Sequence, residues 1–300
     1  MSKNISKKSL RLLSFIIIFS FLFTLTINNT ASAADIEVIL DKLEVKQGEI
    51  IKVTLRSNTL DLSRDDYTAN FSWNNFSFYP SANNELVSYI GVSYWNETGK
   101  TPLKIKQNGN DFYYNKIKIL SGNFDKSYIE VSKDKEKLVR PDEEDKKLKE
   151  RLEKDNEMVT KARTNTSPKK LWNDNFIWPL KGVISTDFGA TRFVNGKLQS
   201  KHSGIDIAAD TGTTVKASND GIVTLAADLI VTGKTVIIDH GHNVFSSYSH
   251  LNTMTVKKGD KISKGEKVGE IGSTGFSTGP HLHWTIKVAN VYVNPKYFIK

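Results

Sequence analysis

Histidine is concentrated in the last third of the chain. All six histidines of the 300-residue sequence fall between His202 and His283. Two of them, His281 and His283, are separated by a single residue. On a strand, both imidazoles would point to the same face with their Cα atoms ~7 Å apart. Such a pair can reach one small ion or one substrate atom, and the spacing leaves open which of the two would bind a metal.

A second polar pair lies further upstream. Asp206 follows His202 by four residues, and imidazole and carboxylate are both common zinc ligands. One straight strand would hold the two ends ~13 Å apart, too far to share an ion. We therefore expect His202 to lie in the loop before a strand, with Gly204 allowing a turn or a bulge.

The absence of cysteine restricts the possible chemistry. The sequence contains none, so disulfides and thiolate metal sites are excluded. Two histidines and one aspartate would leave an open position on Zn²⁺ for water, as catalytic zinc sites do. Zinc in such a site polarises a carbonyl and lowers the pKa of its bound water toward ~7. A neighbouring histidine could then take up the water proton and pass a proton to the leaving group.

The elements that must position these residues look like strands throughout an all-β chain. Residues 174–300 combine short apolar runs, such as 235–238 and 282–286, with glycine turns such as 219–221 and 239–241. This pattern predicts an antiparallel β-sheet domain with few or no helices.

The N-terminal half shows a similar pattern without histidine. Residues 35–122 carry β-branched or aromatic runs at 36–40, 50–55, 86–90 and 112–114. Turn sequences separate these runs, which predicts a small β-sandwich loosely similar to immunoglobulin-like modules. We expect this domain to be a spacer or a docking domain.

A charged linker is expected between the two domains, at residues 123–173. Residues 133–163 lack glycine and intersperse acidic with basic side chains, which favours a solvated, partly helical segment. Its apolar stripe is thin, consisting of Leu148, Leu152 and Met158. The loop at 164–168 is a natural domain boundary.

Residues 1–33 have the features of a signal peptide. Lys3, Lys7, Lys8 and Arg11 precede an apolar run at 12–27. Ala31 and Ala33 then form a small-x-small cleavage pattern. The apolar run is shorter than the ~20 residues that span a bilayer, so we expect cleavage and export, with an uncleaved anchor as the alternative.

Composition and charge narrow the classes of partner. Hydrophobic residues make up 38% of the chain, which argues against wholesale disorder. The formal net charge of +9 suits an anionic surface. No basic–aromatic interleaving points to nucleic acid, and no feature of the sequence indicates an obligate oligomer.

The ordered motifs closely resemble those of the lysostaphin-type, or LytM-like, zinc endopeptidases of bacterial cell walls. Each motif alone is weak, but the combination in this order is highly specific. The resemblance runs from about Phe176 to Val293. Its motifs lie at 178–180, 185–189 with Arg192 just after, 202–206, 219–223, 238–241, 248–251 and 272–283.

This resemblance implies a role for each site residue. His202, Asp206 and His283 would bind Zn²⁺, and His250 and His281 would be catalytic, acting on the water or steadying the transition state. The site would lie in a groove between loops of the sheet. The implied activity is that of a metalloendopeptidase hydrolysing peptide cross-links or stem peptides of peptidoglycan. A glycyl bridge and a D-Ala–diamino acid cross-link both remain open as the bond cut.

The remaining histidines are expected to have no chemical role. His240 would be structural, and His242, at a turn, would be exposed. Another hypothesis concerns latency, since Asn173, Asn175 or the β domain could fill the open zinc position.

Two other functions compete with the endopeptidase. A catalytically inactive relative could bind or regulate wall hydrolases, but such relatives typically lose ligand positions that this chain retains. A phosphotransfer carrier with related β architecture fits poorly with export. We expect a secreted or wall-associated protein, with a wall or membrane protein as a candidate partner of the N-terminal domain.

Overall fold

The computed structural model describes residues 36–299 apart from residues 83 and 174. These residues form mostly β-strands with few helices, which confirms the predicted fold class. The signal peptide predicted at 1–33 lies outside the described residues. Within the described ranges, no helix is long and apolar enough to cross a bilayer.

The N-terminal unit is built from two sheets. Its strands are β1 (Ile36–Leu40), β2 (Glu44–Lys46), β3 (Ile50–Ser57), β4 (Tyr67–Phe71), β5 (Asn74–Ser77), β6 (Tyr79–Pro80), β7 (Glu85–Gly91), β8 (Gly99–Gln107) and β9 (Asn110–Leu120), with a 3-10 turn at Arg64–Asp66. The sheet orders are β1-β3-β7-β6 and β2-β9-β8-β4-β5. Alternation places Ile51, Val53 and Leu55 of one sheet and Leu103 and Ile105 of the other in one apolar core. The immunoglobulin-like character of this unit stays a prediction, as do the domain boundaries.

The linker contains one strand and two helices. They are β10 (Lys126–Ile129), α1 (Lys133–Lys137) and α2 (Lys146–Ala162). Helix α2 begins where the Asp145 side chain accepts a hydrogen bond from the Leu148 N–H at 3.1 Å. Its Asp155 accepts from the Ile230 N–H at 2.7 Å, and Ala162 packs in an apolar cluster with Phe245. The helix is therefore docked on the C-terminal domain along one side, rather than solvated all round as the charge pattern suggested.

The C-terminal domain is dominated by one antiparallel sheet. Its strands are β11 (Val183–Thr186), β12 (Thr191–Val194), β13 (Lys197–Lys201), β14 (Ile205–Ala208), β15 (Thr214–Lys216), β16 (Gly221–Leu229), β17 (Gly233–Asp239), β18 (Val244–Met254), β19 (Lys261–Ile262), β20 (Lys267–Ile271), β21 (His281–Val288) and β22 (Val291–Val293), followed by a 3-10 turn at Pro295–Phe298. The main order is β11-β14-β21-β18-β17-β16-β19, with β15, β20 and β22 attached. Strands β12 and β13 form a separate hairpin, and linker strand β10 pairs with β12 in parallel.

The two units meet around His242. This residue was expected to be exposed, but it is buried, with 3% of its surface accessible. Its ring stacks on Tyr79 of the N-terminal unit with the centroids 5.0 Å apart, and Trp172 packs against it edge-on. The expectation was wrong because the covering aromatic residues come from distant parts of the sequence. Burial, reinforced by the charge of nearby Lys170, lowers the pKa of His242 to about 4, so the ring is neutral at pH 7.

Gly204 permits the close approach of β14 to β21. A Cβ at this position would overlap the carbonyl oxygen of Trp284 and the side chain of Thr285 on the adjacent strand. The same strand pair sets Asp206 directly opposite His283. The absence of a side chain at 204 therefore keeps the two strands in hydrogen-bonding distance at the place where the polar residues meet.

We expect Gly204→Ala to lower the free energy of unfolding by about 1–3 kcal/mol, because the added methyl must displace backbone. The measurement is urea denaturation in the presence of a chelator, so that loss of a metal cannot contribute to the difference. Gly279→Ala is the matched control, since nothing lies within 4 Å of a Cβ there, and it should change stability by less than about 0.5 kcal/mol. Equal effects of the two substitutions would contradict this role of Gly204.

Candidate metal centre

Three side chains from separate segments converge on one point of the sheet. His202 lies in the loop between β13 and β14, Asp206 is the second residue of β14, and His283 lies on β21. The loop position of His202 is the one expected from the spacing. His281 and His283 share one face of β21, while Leu282 and Trp284 are fully buried on the other.

The ligand-type atoms of these residues are within 3.0 Å of one another. Asp206 Oδ1 lies 2.7 Å from His283 Nδ1 and 2.9 Å from His202 Nε2, and the two nitrogens are 3.0 Å apart. His202 and Asp206 are buried, and His283 is partly buried. By contrast, His281 Nε2 is 3.8 Å from the same carboxylate oxygen. The geometry therefore favours His283 over His281 as the partner of Asp206, a choice that the spacing left open.

The hydrogen bond from His202 to the backbone fixes which of its nitrogens can bind a cation. Its Nδ1 lies 2.8 Å from the carbonyl oxygen of Asp187, which can only accept, so Nδ1 carries the proton. In the neutral ring, Nε2 then has the lone pair and faces the carboxylate oxygen of Asp206. Two acceptors this close repel each other unless a positive species lies between them. The cluster of His202, Asp206 and His283 fits a metal ion in both its atom types and its convergence.

The charge states also suit metal binding. Burial acts to raise the pKa of Asp206, but the hydrogen bonds and charges of His202 and His283 outweigh it and hold this pKa well below its usual range. Burial lowers the pKa of His283 to about 4. At pH 7 the carboxylate is therefore ionised and His283 is neutral, which are the forms that coordinate a metal.

Further contacts hold the three side chains in place. Arg192 Nη2 donates to Asp206 Oδ2 at 2.8 Å, which leaves Oδ1 to face the histidines. Ser203 Oγ lies 3.3 Å from His283 Nε2. Such outer contacts orient ligands and tune their basicity. The sequence motif included Arg192 without indicating this role, and the contribution of the Asp187 backbone carbonyl has no sequence pattern.

The segment that carries the Asp187 carbonyl is held by the N-terminal unit. Phe188 is buried against Tyr94 and linker residue Phe124, with ring centroids 5.3 and 6.0 Å away. The Gly189 N–H donates to the His202 carbonyl at 2.8 Å. The orientation of the His202 ring therefore depends on packing contributed from outside the C-terminal domain.

The two remaining predicted site residues lie beside the cluster. The rings of His250 and His281 are 4.7 Å apart, and the His250 ring is 6.1 Å from that of His283. His250 Nδ1 lies 2.8 Å from the Thr274 carbonyl oxygen, and His281 Nδ1 lies 2.9 Å from that of Gly279. Each Nδ1 is therefore a donor, and each neutral ring keeps a basic Nε2. Burial, together with the neighbouring histidines, lowers the pKa of His250 to about 3.

His250 has an unusual backbone conformation, which sets the direction of its side chain. It follows Ser249, which pairs with His283, and it has a φ of 62°. Its N–H donates to the Thr232 carbonyl at 2.9 Å, outside the ladder to β21. A left-handed conformation at a non-glycine residue is uncommon, and here it follows the last residue of β18 that pairs with β21, next to the candidate metal ligands.

A cleft of about 290 Å³ opens over this group. Its walls come from the loop at 276–280, from β11 and from linker strand β10; the lining includes Ser127, Ile129, Ser185, Thr186, Arg192, Asp206, Ala208, His250, Phe276, Ser277, Thr278, Gly279, Pro280 and His281. No sequence pattern indicated that the linker would contribute to this cleft.

The other polar residues considered from the sequence lie elsewhere. His240 is buried, with Nδ1 2.6 Å from the Asp220 carbonyl and Nε2 2.7 Å from Ser246 Oγ, which is a structural arrangement. Asn173 is bonded to Asn219 and Asp220, and Asn175 is exposed. The structure therefore brings neither asparagine to the cleft, contrary to what the latency hypothesis needs of them.

The C-terminal domain, which carries the candidate metal centre, is similar to domains of known proteins. Residues 200–295 match the profile of Peptidase family M23. The peptidoglycan DD-endopeptidase ShyA of Vibrio cholerae is 41% identical over 115 residues, which are 38% of this chain and 27% of ShyA. The DD-carboxypeptidase/endopeptidase Mpg of Neisseria meningitidis is 43% identical over 112 residues, or 37% and 26% of the two chains. This chain thus spans less than a third of these curated relatives.

A solved structure extends the likeness in fold to the N-terminal half. The putative peptidase M23 of Pseudomonas aeruginosa superposes with a TM-score of 0.60 at 24% identity, covering 84% of this chain and 93% of that one. At this identity the likeness concerns the fold. The family profile and the curated relatives confirm the resemblance first seen in the motifs. This chain thus contains, in its C-terminal half, a Peptidase M23 domain.

Proposed function

We propose that this protein is a secreted zinc endopeptidase that hydrolyses peptide bonds of bacterial peptidoglycan. The observation that carries the proposal is the convergence of the candidate ligand atoms of His202, Asp206 and His283 within 3.0 Å of one another. The cleft at this point is also lined by His250 and His281. The Vibrio and Neisseria relatives, a peptidoglycan DD-endopeptidase and a DD-carboxypeptidase/endopeptidase, suggest the substrate class. The pattern at 1–33 and the positive charge are consistent with export toward an anionic wall.

Zinc is the metal that best fits this set of ligands. Two imidazole nitrogens, one carboxylate oxygen and no thiolate leave a coordination position open, as in catalytic zinc sites. Magnesium and calcium favour all-oxygen sets, which this cluster does not offer. When bound, Zn²⁺ would lower the pKa of a water molecule and polarise the scissile carbonyl.

The protein's own groups account for the proton transfers. His250 and His281 each present a basic Nε2 whose orientation is fixed by a backbone carbonyl on Nδ1. We assign them to accept the proton of the attacking water and to deliver a proton to the leaving amine. Because the pKa of His250 is lowered to about 3, this ring is neutral at pH 7 and has a nitrogen lone pair that can accept a proton.

The inactive-regulator alternative is less well supported. It would be favoured by a missing ligand or by a side chain turned away from the site, and neither is found among the described residues of the cluster. A wall or membrane protein that docks on the N-terminal domain remains our proposal for a partner.

The activity is tested by digesting peptidoglycans of known cross-link chemistry and reading the new peptide termini by mass spectrometry. We expect zinc-loaded protein lacking residues 1–33 to cleave the cross-links and create such new termini. His283→Ala or a chelator should reduce the rate at least about a hundredfold, because a ligand or the metal is lost. Trp73→Ala is the control and should leave the rate unchanged, since this side chain is 75% exposed at a turn of the N-terminal unit. Cleavage that survives chelation, or no cleavage of any cross-link type, would refute the proposal.

A separate prediction concerns Arg192, which binds the second oxygen of Asp206. Arg192→Gln should weaken zinc binding about 10–100-fold, because the carboxylate loses the contact that orients it. Competition with a chromophoric chelator measures this affinity directly. Arg56→Gln removes an arginine–glutamate pair in the N-terminal unit and should leave zinc affinity unchanged. Equal zinc affinity in the two variants would show that Arg192 does not position the ligand.

A further inference from the structure

The linker strand β10 contributes side chains to the cleft that holds the candidate metal centre. Ser127 and Ile129 line this cleft together with Asp206, His250 and His281. Both linker residues precede the matched family domain, which begins at residue 200. The wall that they form therefore lies outside the matched domain that carries the candidate metal ligands.

The register of β10 sets which of its side chains face the cleft. In the parallel pair with β12, Ser127 lies opposite Arg192, the residue that bonds to Asp206. Neighbouring residues of paired strands share a face and lie about 5 Å apart. The intervening residue Tyr128 points the other way, stacks on Phe193 at 5.0 Å and is 67% exposed. Alternation thus separates a cleft face from an outer face on the same short strand.

The strand is held firmly in this position. Asn195, at the tip of the β12–β13 hairpin, donates from its N–H to the Ile129 carbonyl at 3.0 Å. Its side chain accepts from the Val131 N–H at 2.9 Å and donates to the Val131 carbonyl at 3.2 Å. Arg140 donates to the Val194 carbonyl at 3.3 Å and to the Lys197 carbonyl at 3.2 Å. A wall fixed by so many hydrogen bonds is ordered before any ligand arrives, which reduces the entropic cost of binding.

Helix α1 extends the linker to the opposite side of the cleft. The Lys135 ammonium donates a hydrogen bond to the Ser277 carbonyl, in the loop that forms the opposing wall. The linker therefore forms one side of the cleft and is tied to the other.

The wall formed by β10 combines an apolar and a polar side chain. Ile129 offers an uncharged aliphatic surface, and Ser127 offers a hydroxyl that can donate or accept. This combination suits a peptide group that hydrogen-bonds to Ser127, next to a small aliphatic side chain that packs on Ile129.

We propose that β10 is part of the substrate-binding site, where Ile129 and Ser127 position the extended peptide beside the metal-binding residues. This inference rests on the proposed endopeptidase function. It makes the linker a determinant of substrate preference, in addition to its connection of the two units.

The test compares two tryptophan substitutions on the same strand in the zinc-loaded chain lacking residues 1–33. Ile129→Trp fills the cleft face and should raise KM for a purified cross-linked stem-peptide dimer about tenfold or more, with little change in kcat. Tyr128→Trp changes only the outer face and should match the unsubstituted protein. Zinc content and the urea midpoint should be the same in all three proteins. Equal KM values for the two variants would overturn the inference.

A binding measurement separates this inference from the proposed function. In a His281→Ala background, calorimetric titration with the same dimer should show about tenfold weaker binding for Ile129→Trp than for Tyr128→Trp. If the unsubstituted protein cleaves nothing, the endopeptidase proposal fails, and the affinity difference still decides the role of β10. Equal affinities, or no binding by any of the proteins, would overturn that role.

Discussion

The fold holds three electron-pair donors close together at the candidate metal centre. Asp206 Oδ1, His202 Nε2 and His283 Nδ1 are held 2.7–3.0 Å apart. The Asp187 carbonyl prevents the His202 ring from presenting its protonated nitrogen to the other two. Such an arrangement is unfavourable unless a proton or a metal cation lies between the three atoms, because burial removes the water that would otherwise screen it. The fold must therefore supply the energy that keeps the three side chains together.

That energy comes from strand pairing and from packing on both sides of the centre. Gly204 lets β14 approach β21 closely enough for Asp206 to face His283. The aromatic contacts of Phe188 reach into the N-terminal unit and hold the segment that bonds to His202. The N-terminal unit and the linker thus contribute to the site although they contain none of its ligands. One wall of the cleft therefore comes from outside the segments that carry the metal-binding motifs.

Local sequence patterns predicted much of this, and non-local packing accounts for what they missed. Alternation along β21 predicted a shared face for His281 and His283, and the four-residue spacing of His202 and Asp206 predicted a loop position for His202. The choice between His281 and His283 required the register with β14, which spacing within one segment cannot contain. His242 was misjudged because Tyr79 and Trp172 cover it from distant parts of the chain. The pairing of β10 with β12 was missed for the same reason, since an edge pairing leaves little trace in a four-residue strand.

The most direct test of the candidate metal centre is anomalous diffraction at the zinc edge, from crystals of zinc-loaded protein. We predict one strong peak within ~2.0–2.2 Å of His202 Nε2, Asp206 Oδ1 and His283 Nδ1, with the Nε2 atoms of His250 and His281 outside bonding distance. An ion held by His281 in place of His283, or no ion at these three atoms in a crystal grown with excess zinc, would contradict it.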